Sequence, residues 1–159
     1  SPDYTLEDYI SHLKILYNVH AGFELAYQNY PNSGLVNTFV DQQEFRTHML
    51  KEDIEEAGSK VSNSGLADIS YESDYELIGG YYVIKGSQLG GRMISKEMDK
   101  KFPAWNLNNQ TFYSEGSYVG MPWSEFKEKL NGLEESKYDE LLKGAQKTFS
   151  LFRDMIEVK

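Results

Sequence analysis

The chain of 159 residues contains no cysteine. That excludes disulfides, thiolate metal sites, iron–sulfur clusters and cysteine nucleophiles together. It also has no excess of positive charge: 16 Lys and Arg stand against 25 Asp and Glu, a net charge of −9. A surface of that sign argues against nucleic acid as a partner, because phosphate binding calls for a basic face. It suits a cytoplasmic protein. No apolar run approaches the roughly 20 residues of a membrane span, and no stretch reads as a signal peptide. The first residues, Ser1-Pro2, include no methionine, from which a processed or trimmed N-terminus is expected. No segment reads as a strand, no internal repeat is visible, and no His/Asp/Glu cluster has the spacing of metal ligands.

What remains is helical. Forty per cent of residues are hydrophobic, enough for a core. Thr5 reads as an N-cap, with Glu7 and Asp8 at the positive end of the helix dipole. Leu6, Tyr9, Ile10, Leu13, Leu16, Tyr17, His20, Phe23 and Tyr27 then recur with helical period. Pro31-Asn32-Ser33-Gly34 ends that helix. A second helical segment, with a possible break, covers Leu35 to Ala57, and Gly58 follows as its C′ residue. Residues 59–72 read as a surface loop. A long helix runs from Asp74 to about Lys101 and stops at Phe102-Pro103; residues 103–120 look irregular. A short helix starts at Met121-Pro122-Trp123 and ends at Asn131-Gly132. A last helix covers Glu134 to Glu157, with Leu141, Leu142, Ala145, Phe149, Phe152 and Ile156 on its apolar side. The expected architecture is all-α, one domain over 1–159, with helices around one core.

The long helix carries Gly79, Gly80, Gly86, Gly90 and Gly91. Each costs roughly 1 kcal/mol against alanine. Gly79, Gly86 and Gly90 share a stripe, flanked by Tyr82 and Val83, so the helix offers a bare backbone track. Two readings stand: close helix–helix packing, or a large flat ligand laid against the track.

The run Tyr82-Val83-Ile84-Lys85-Gly86-Ser87-Gln88-Leu89-Gly90-Gly91-Arg92 resembles the distal-helix motif of the bacterial haem oxygenases, especially those making biliverdin for phytochromes. Asp8-Tyr9 through Leu16-Tyr17 to Phe23-Glu24 is similar to that family's second helix. Thr111-Phe112-Tyr113 with Gly116, then Trp123 and Phe126, resembles the stretch after the distal helix. Ala145-Gln146-Lys147-Thr148-Phe149 resembles the start of its final helix. The matches follow the family's order over nearly the whole chain.

The resemblance implies a multihelical bundle with a kinked distal helix, and haem as both substrate and cofactor. It implies cleavage of haem by dioxygen to biliverdin, carbon monoxide and iron, with electrons from a ferredoxin or a reductase. Gly86, Gly90 and Gly91 would let the backbone approach the porphyrin. Ser87 stands where some members carry an aspartate that orders water, through which protons can be delivered. Tyr81 or Tyr82 would lie near a haem edge or propionate, against the alternative of core packing. Lys127, otherwise a surface lysine, would pair with a propionate, and Arg92 has similar standing. Phe149 would wall the pocket, which for an apolar pocket is hard to separate from ordinary core. The family also places its proximal histidine on a helix before the segment resembling Asp8-Tyr9; the seven residues before Asp8 hold no histidine. That helix is then expected to lie outside the sequence, or else the chain is a non-catalytic binder of a tetrapyrrole or another flat ligand. Of His12, His20 and His48, His20 lies on an apolar face and reads as a hydrogen-bonded core residue.

Overall fold

Thr5 does cap the first helix. Its hydroxyl accepts from the Asp8 amide at 3.1 Å, and the Asp8 carboxylate accepts from the Thr5 amide at 2.9 Å. This reciprocal pair satisfies two amides that a helix start leaves free. The computed structural model describes residues 5–101 and 120–157, with side-chain surroundings for 5–88 and 120–155. The described residues form six α-helices: α1 (Leu6–Asn29), α2 (Gly34–Phe39), α3 (Thr47–Glu56), α4 (Asp74–Lys101), α5 (Trp123–Asn131) and α6 (Tyr138–Glu157). The architecture is all-α.

The segment read as one interrupted helix from Leu35 to Ala57 is two helices with a 3-10 turn, Gln42–Glu44, between them. Val40 is extended, and Asp41 turns its side chain back to accept from the Gln43 amide at 2.9 Å. A short acceptor beside its own backbone competes with helix continuation. Gly58 follows α3 at φ +93, a conformation that favours glycine. The last helix starts at Tyr138, not Glu134: Glu134 is extended and Glu135–Lys137 form a 3-10 turn.

Two contiguous apolar clusters lie along α1. One gathers Val19 and Phe23 with α2, Tyr71, the first half of α4 and Phe126 of α5. The other gathers Tyr9, Leu13, Leu16 and Tyr17 with Leu50 and Ile54 of α3. Helices α4 and α6 make the most extensive helix pairing of the described residues. They meet backbone to backbone. A Cβ on Gly79 would run into the Leu141 carbonyl, and one on Gly144 into the Glu76 carbonyl. One turn along, Tyr71 fills the space beside Gly80 and donates to Thr148 Oγ1 at 2.6 Å, while Thr148 donates to the Gly144 carbonyl at 2.8 Å.

That crossing corrects the expected apolar face of α6. The buried edge runs through Gly144 and Thr148, small residues that admit the α4 backbone. Leu142 and Phe149 instead stand 56% and 61% exposed. The side chain of Ile156 lies outside the described residues.

Candidate functional site

Helix α4 addresses different neighbours on different faces. Tyr81, Lys85 and Gln88, at steps of four and three, share the face turned to the 3-10 turn before α3. There Glu44, 1% exposed, collects them all. Its carboxylate accepts from the Tyr81 hydroxyl and pairs with Lys85 Nζ at 2.6 Å. Its carbonyl accepts from Gln88 Nε2 at 2.9 Å. Lys85 Nζ also donates to the Met121 carbonyl at 2.6 Å and lies 5.6 Å from the centre of the Phe126 ring. Burial, then the adjacent Glu44 charge, pushes the Tyr81 hydroxyl far above its ordinary range. Buried charges require this kind of saturation by partners.

Ser87 faces α1. Its hydroxyl donates to the Ile84 carbonyl at 2.7 Å and lies 3.0 Å from His20 Nε2. The single serine proton being committed to Ile84, the imidazole must be the donor, which fixes the neutral tautomer protonated on Nε2. Burial, with the Arg46 charge adding to it, brings the His20 pKa down to about 3. Ser87 therefore offers its remaining lone pair as an acceptor, held by a neutral imidazole. The core histidine read from the sequence is thus a hydrogen-bonded partner of a candidate site residue 67 positions away.

The third face carries Tyr82 and Gly86. Tyr82 is 39% exposed and packs against Trp123 with ring centroids 5.1 Å apart. Trp123 stacks in turn on Phe126 at 6.0 Å and 9°. Gly86 differs from the other α4 glycines whose surroundings are described: a Cβ placed there would meet only the edge of the Trp123 ring, at 3.5 Å, an ordinary contact. Among the described residues no neighbouring backbone approaches it. The stripe proposed from spacing is therefore divided. Gly79 serves helix crossing, and Gly86 has no steric partner among the described residues that would require glycine.

Beside Tyr82 lies an apolar cleft of about 260 Å³, lined by Gly79, Leu130, Tyr138, Leu141, Leu142 and Ala145 among others. Pockets that bury most of a ligand start near 300 Å³, so a ligand here would be covered on one face by these residues. Among the described residues, four of the five large hydrophobic side chains that stand most exposed, Tyr82, Tyr138, Leu142 and Phe149, belong to α4 and α6 around it. Phe149 is one turn beyond Ala145 on α6 and does not line the cleft itself. Lys127, one turn beyond Trp123 on α5, is exposed and has no hydrogen-bond or ion-pair partner among the described residues. Its neighbour Lys129 is committed to the Thr38 carbonyl and the Phe39 ring. None of the three histidines lines the cleft: His20 is buried on Ser87, His12 is half-buried on α1 and His48 is exposed on α3.

Gly90, Gly91 and Arg92 lie on the continuous backbone of α4, and their surroundings are outside the described residues. So are the Thr111-Phe112-Tyr113 and Gly116 segment and the stop at Phe102-Pro103. Sequence reasoning missed Glu44, Lys85 and Trp123 as site neighbours. Lys85 left a signal as a lysine in helical register with Tyr81 and Gln88, and Trp123 as part of the stretch resembling the segment after the distal helix; Glu44 left none.

No described helix is long and apolar enough to cross a membrane. A family model described as heme oxygenase matches residues 2–158. No curated protein and no solved structure matches the chain.

Proposed function

Since the chain belongs to the haem oxygenase family, we propose that it binds haem against α4 and opens it to biliverdin, carbon monoxide and iron, using dioxygen and electrons from a ferredoxin or a reductase. Bound haem would supply the redox-active iron and the ring that is cleaved. The observation that carries this reading is Gly86: a glycine inside a helix, unfavourable by roughly 1 kcal/mol, whose Cβ position meets, among the described residues, only the edge of the Trp123 ring at ordinary contact distance and no backbone of a packed helix.

The residues present fit the group on two counts. The exposed apolar surface of Tyr82, Tyr138, Leu142 and Phe149 suits a porphyrin face. Lys127 is a cation without a protein partner among the described residues, and a propionate would give it one. The histidines supply no imidazole to that cleft.

In this reading the bare backbone of Gly86, continued by Gly90 and Gly91, lets the ring approach the helix. Tyr82 and Phe149 cover apolar edges, and Tyr81 supports the wall from behind through Glu44. Ser87, pinned by His20, accepts a hydrogen bond from a site water and so turns that water's other proton outward, toward the reacting face. We extend this proposal to the biliverdin-producing, phytochrome-associated type, on the resemblance of the distal-helix motif, and to a cytoplasmic setting. The test is titration with hemin followed by addition of reductant and oxygen. A Soret band that then gives way to biliverdin absorbance supports the enzyme. Haem bound but stable under reductant and oxygen would leave a tetrapyrrole-binding protein. Absence of a Soret band would refute both.

A further inference from the structure

We propose that Trp123 is the specificity-determining stop beside Gly86 for a ring laid against α4, and that the buried Lys85–Glu44 ion pair is the positioning device that holds it there. The specificity half rests on the haem reading; the positioning half does not.

The geometry runs through three residues. Gly120 sits at φ +99, and a Cβ there would enter the Glu44 carboxylate, so only glycine lets the chain pass this close to the ion pair. Met121 follows, and its carbonyl accepts from Lys85 Nζ at 2.6 Å. Pro122 then fixes the next φ, at −56. The chain thus enters α5 with its backbone tied to Lys85 and its freedom reduced at Gly120 and Pro122. Trp123 is the first residue of α5. Its ring is aligned by Phe126 on one side and Tyr82 on the other, and its edge lies 3.5 Å from the Cβ position of Gly86. Lys85 and Gly86 are adjacent in sequence but point to different faces of α4. One charge on the rear face therefore sets where an indole stands on the front face.

An indole beside Gly86 blocks one in-plane direction. A flat ring laid against α4 can place its bulk on the other sides of that glycine, and a porphyrin with two carboxylates on one edge loses its rotational freedom. The meso carbon that comes to rest against α4 is then chosen by a steric stop at Trp123 working with a charge at Lys127.

The chain has two tryptophans, so Trp105→Phe leaves Trp123 as the single tryptophan, excited apart from the tyrosines at the red edge of the absorption band. In that background without haem, Lys85→Met should shift Trp123 emission to the red and increase its quenching by acrylamide, and Lys85→Arg should restore both. The double variant Lys85→Met with Glu44→Gln removes both charges together and leaves no lone buried ion. It keeps the test open if the single variant fails to fold, and the same red shift is expected. Unchanged emission in a folded variant overturns the positioning half. With hemin, Trp123→Ala should still bind and show a Soret band, but shift the ratio of biliverdin isomers toward a mixture, with Trp123→Phe intermediate and Lys85→Met following Trp123→Ala. A merely structural role would lower the rate and leave the isomer ratio alone, and that result overturns the specificity half. Failure of the parent protein to bind hemin overturns the haem reading and the specificity half with it. The emission of the haem-free variants then decides the positioning half separately.

Discussion

Replacing Gly86 and Gly79 by alanine should move stability in opposite directions. Alanine is favoured over glycine in a helix by about 1 kcal/mol. At Gly86 the new methyl meets only the Trp123 edge at 3.5 Å, so this gain should be kept. Haem-free Gly86→Ala is expected to melt roughly 2 to 4 °C higher, the usual shift per kcal/mol for a chain of this size. At Gly79 the same methyl points into the Leu141 carbonyl, which belongs to the backbone of α6 and has no rotamer to escape to. Overpacking costs about 1–3 kcal/mol. Because the obstacle is backbone, the cost should sit in the upper part of that range, about 2–3 kcal/mol; set against the helix gain, Gly79→Ala should lose about 1–2 kcal/mol and melt roughly 2 to 8 °C lower. Far-UV circular dichroism through a thermal ramp measures both. Hemin titration gives the second arm: the methyl of Gly86→Ala lies where the ring approaches the helix, and affinity should fall on the order of tenfold, about 1.4 kcal/mol. A more stable protein that binds haem less well is the signature of a backbone left bare for a guest. Gly86→Ala destabilised like Gly79→Ala, or binding hemin as the parent does, would refute the reasoning.

The His20 imidazole, depressed to about 3 when folded and near 6.5 when unfolded, takes up its proton in the unfolded chain first. Stability should therefore fall as pH drops below 6.5 and level off near 3, losing about 2 kcal/mol by pH 5. His20→Gln keeps a donor toward Ser87, and urea melts across this range should show a flatter profile than the parent; parallel profiles would place the proton elsewhere. Gly120→Ala combines a positive φ with a clash on a buried carboxylate and should cost at least about 2 kcal/mol, read from the urea midpoint. Lys127→Ala should leave the melting temperature within about 1 °C, as an exposed lysine without a partner among the described residues contributes little, yet weaken hemin binding; unchanged affinity would remove it from the site.

Much of the helical frame was legible because caps and periods are local. Thr5, Asp8 and the α1 heptads act on neighbours within one or two turns, and the structure keeps them. The faces of α6 were not. Periodicity shows which residues share a side, and it grouped Leu142 and Phe149 correctly with one another; which side meets α4 depends on where bare backbone allows approach, and Gly144 decides that from outside the pattern. The glycines of α4 show the same limit. Seven residues apart, Gly79 and Gly86 look equivalent in sequence, and only the helix lying across the first distinguishes them. Resemblance singled out Ser87 as a candidate, but its pairing with His20 was not legible, because the two meet only when α1 and α4 pack. Glu44 was invisible for a similar reason: an acidic residue in a stretch between helices gives no hint that three donors converge on it.

The crossing at Gly79 and Gly144 is where two long rods come closest, backbone against backbone with no side chain between them. Such a point acts as a fulcrum. Gly86 stands seven residues out along the arm, about 10 Å at 1.5 Å per residue, so a swing of about 5° at the fulcrum carries it about 1 Å. Displacements of that size at a reacting centre can change rates on the order of a hundredfold. Substitutions far from any bound ring, wherever they tilt α6 against α4, should therefore register at the ring first.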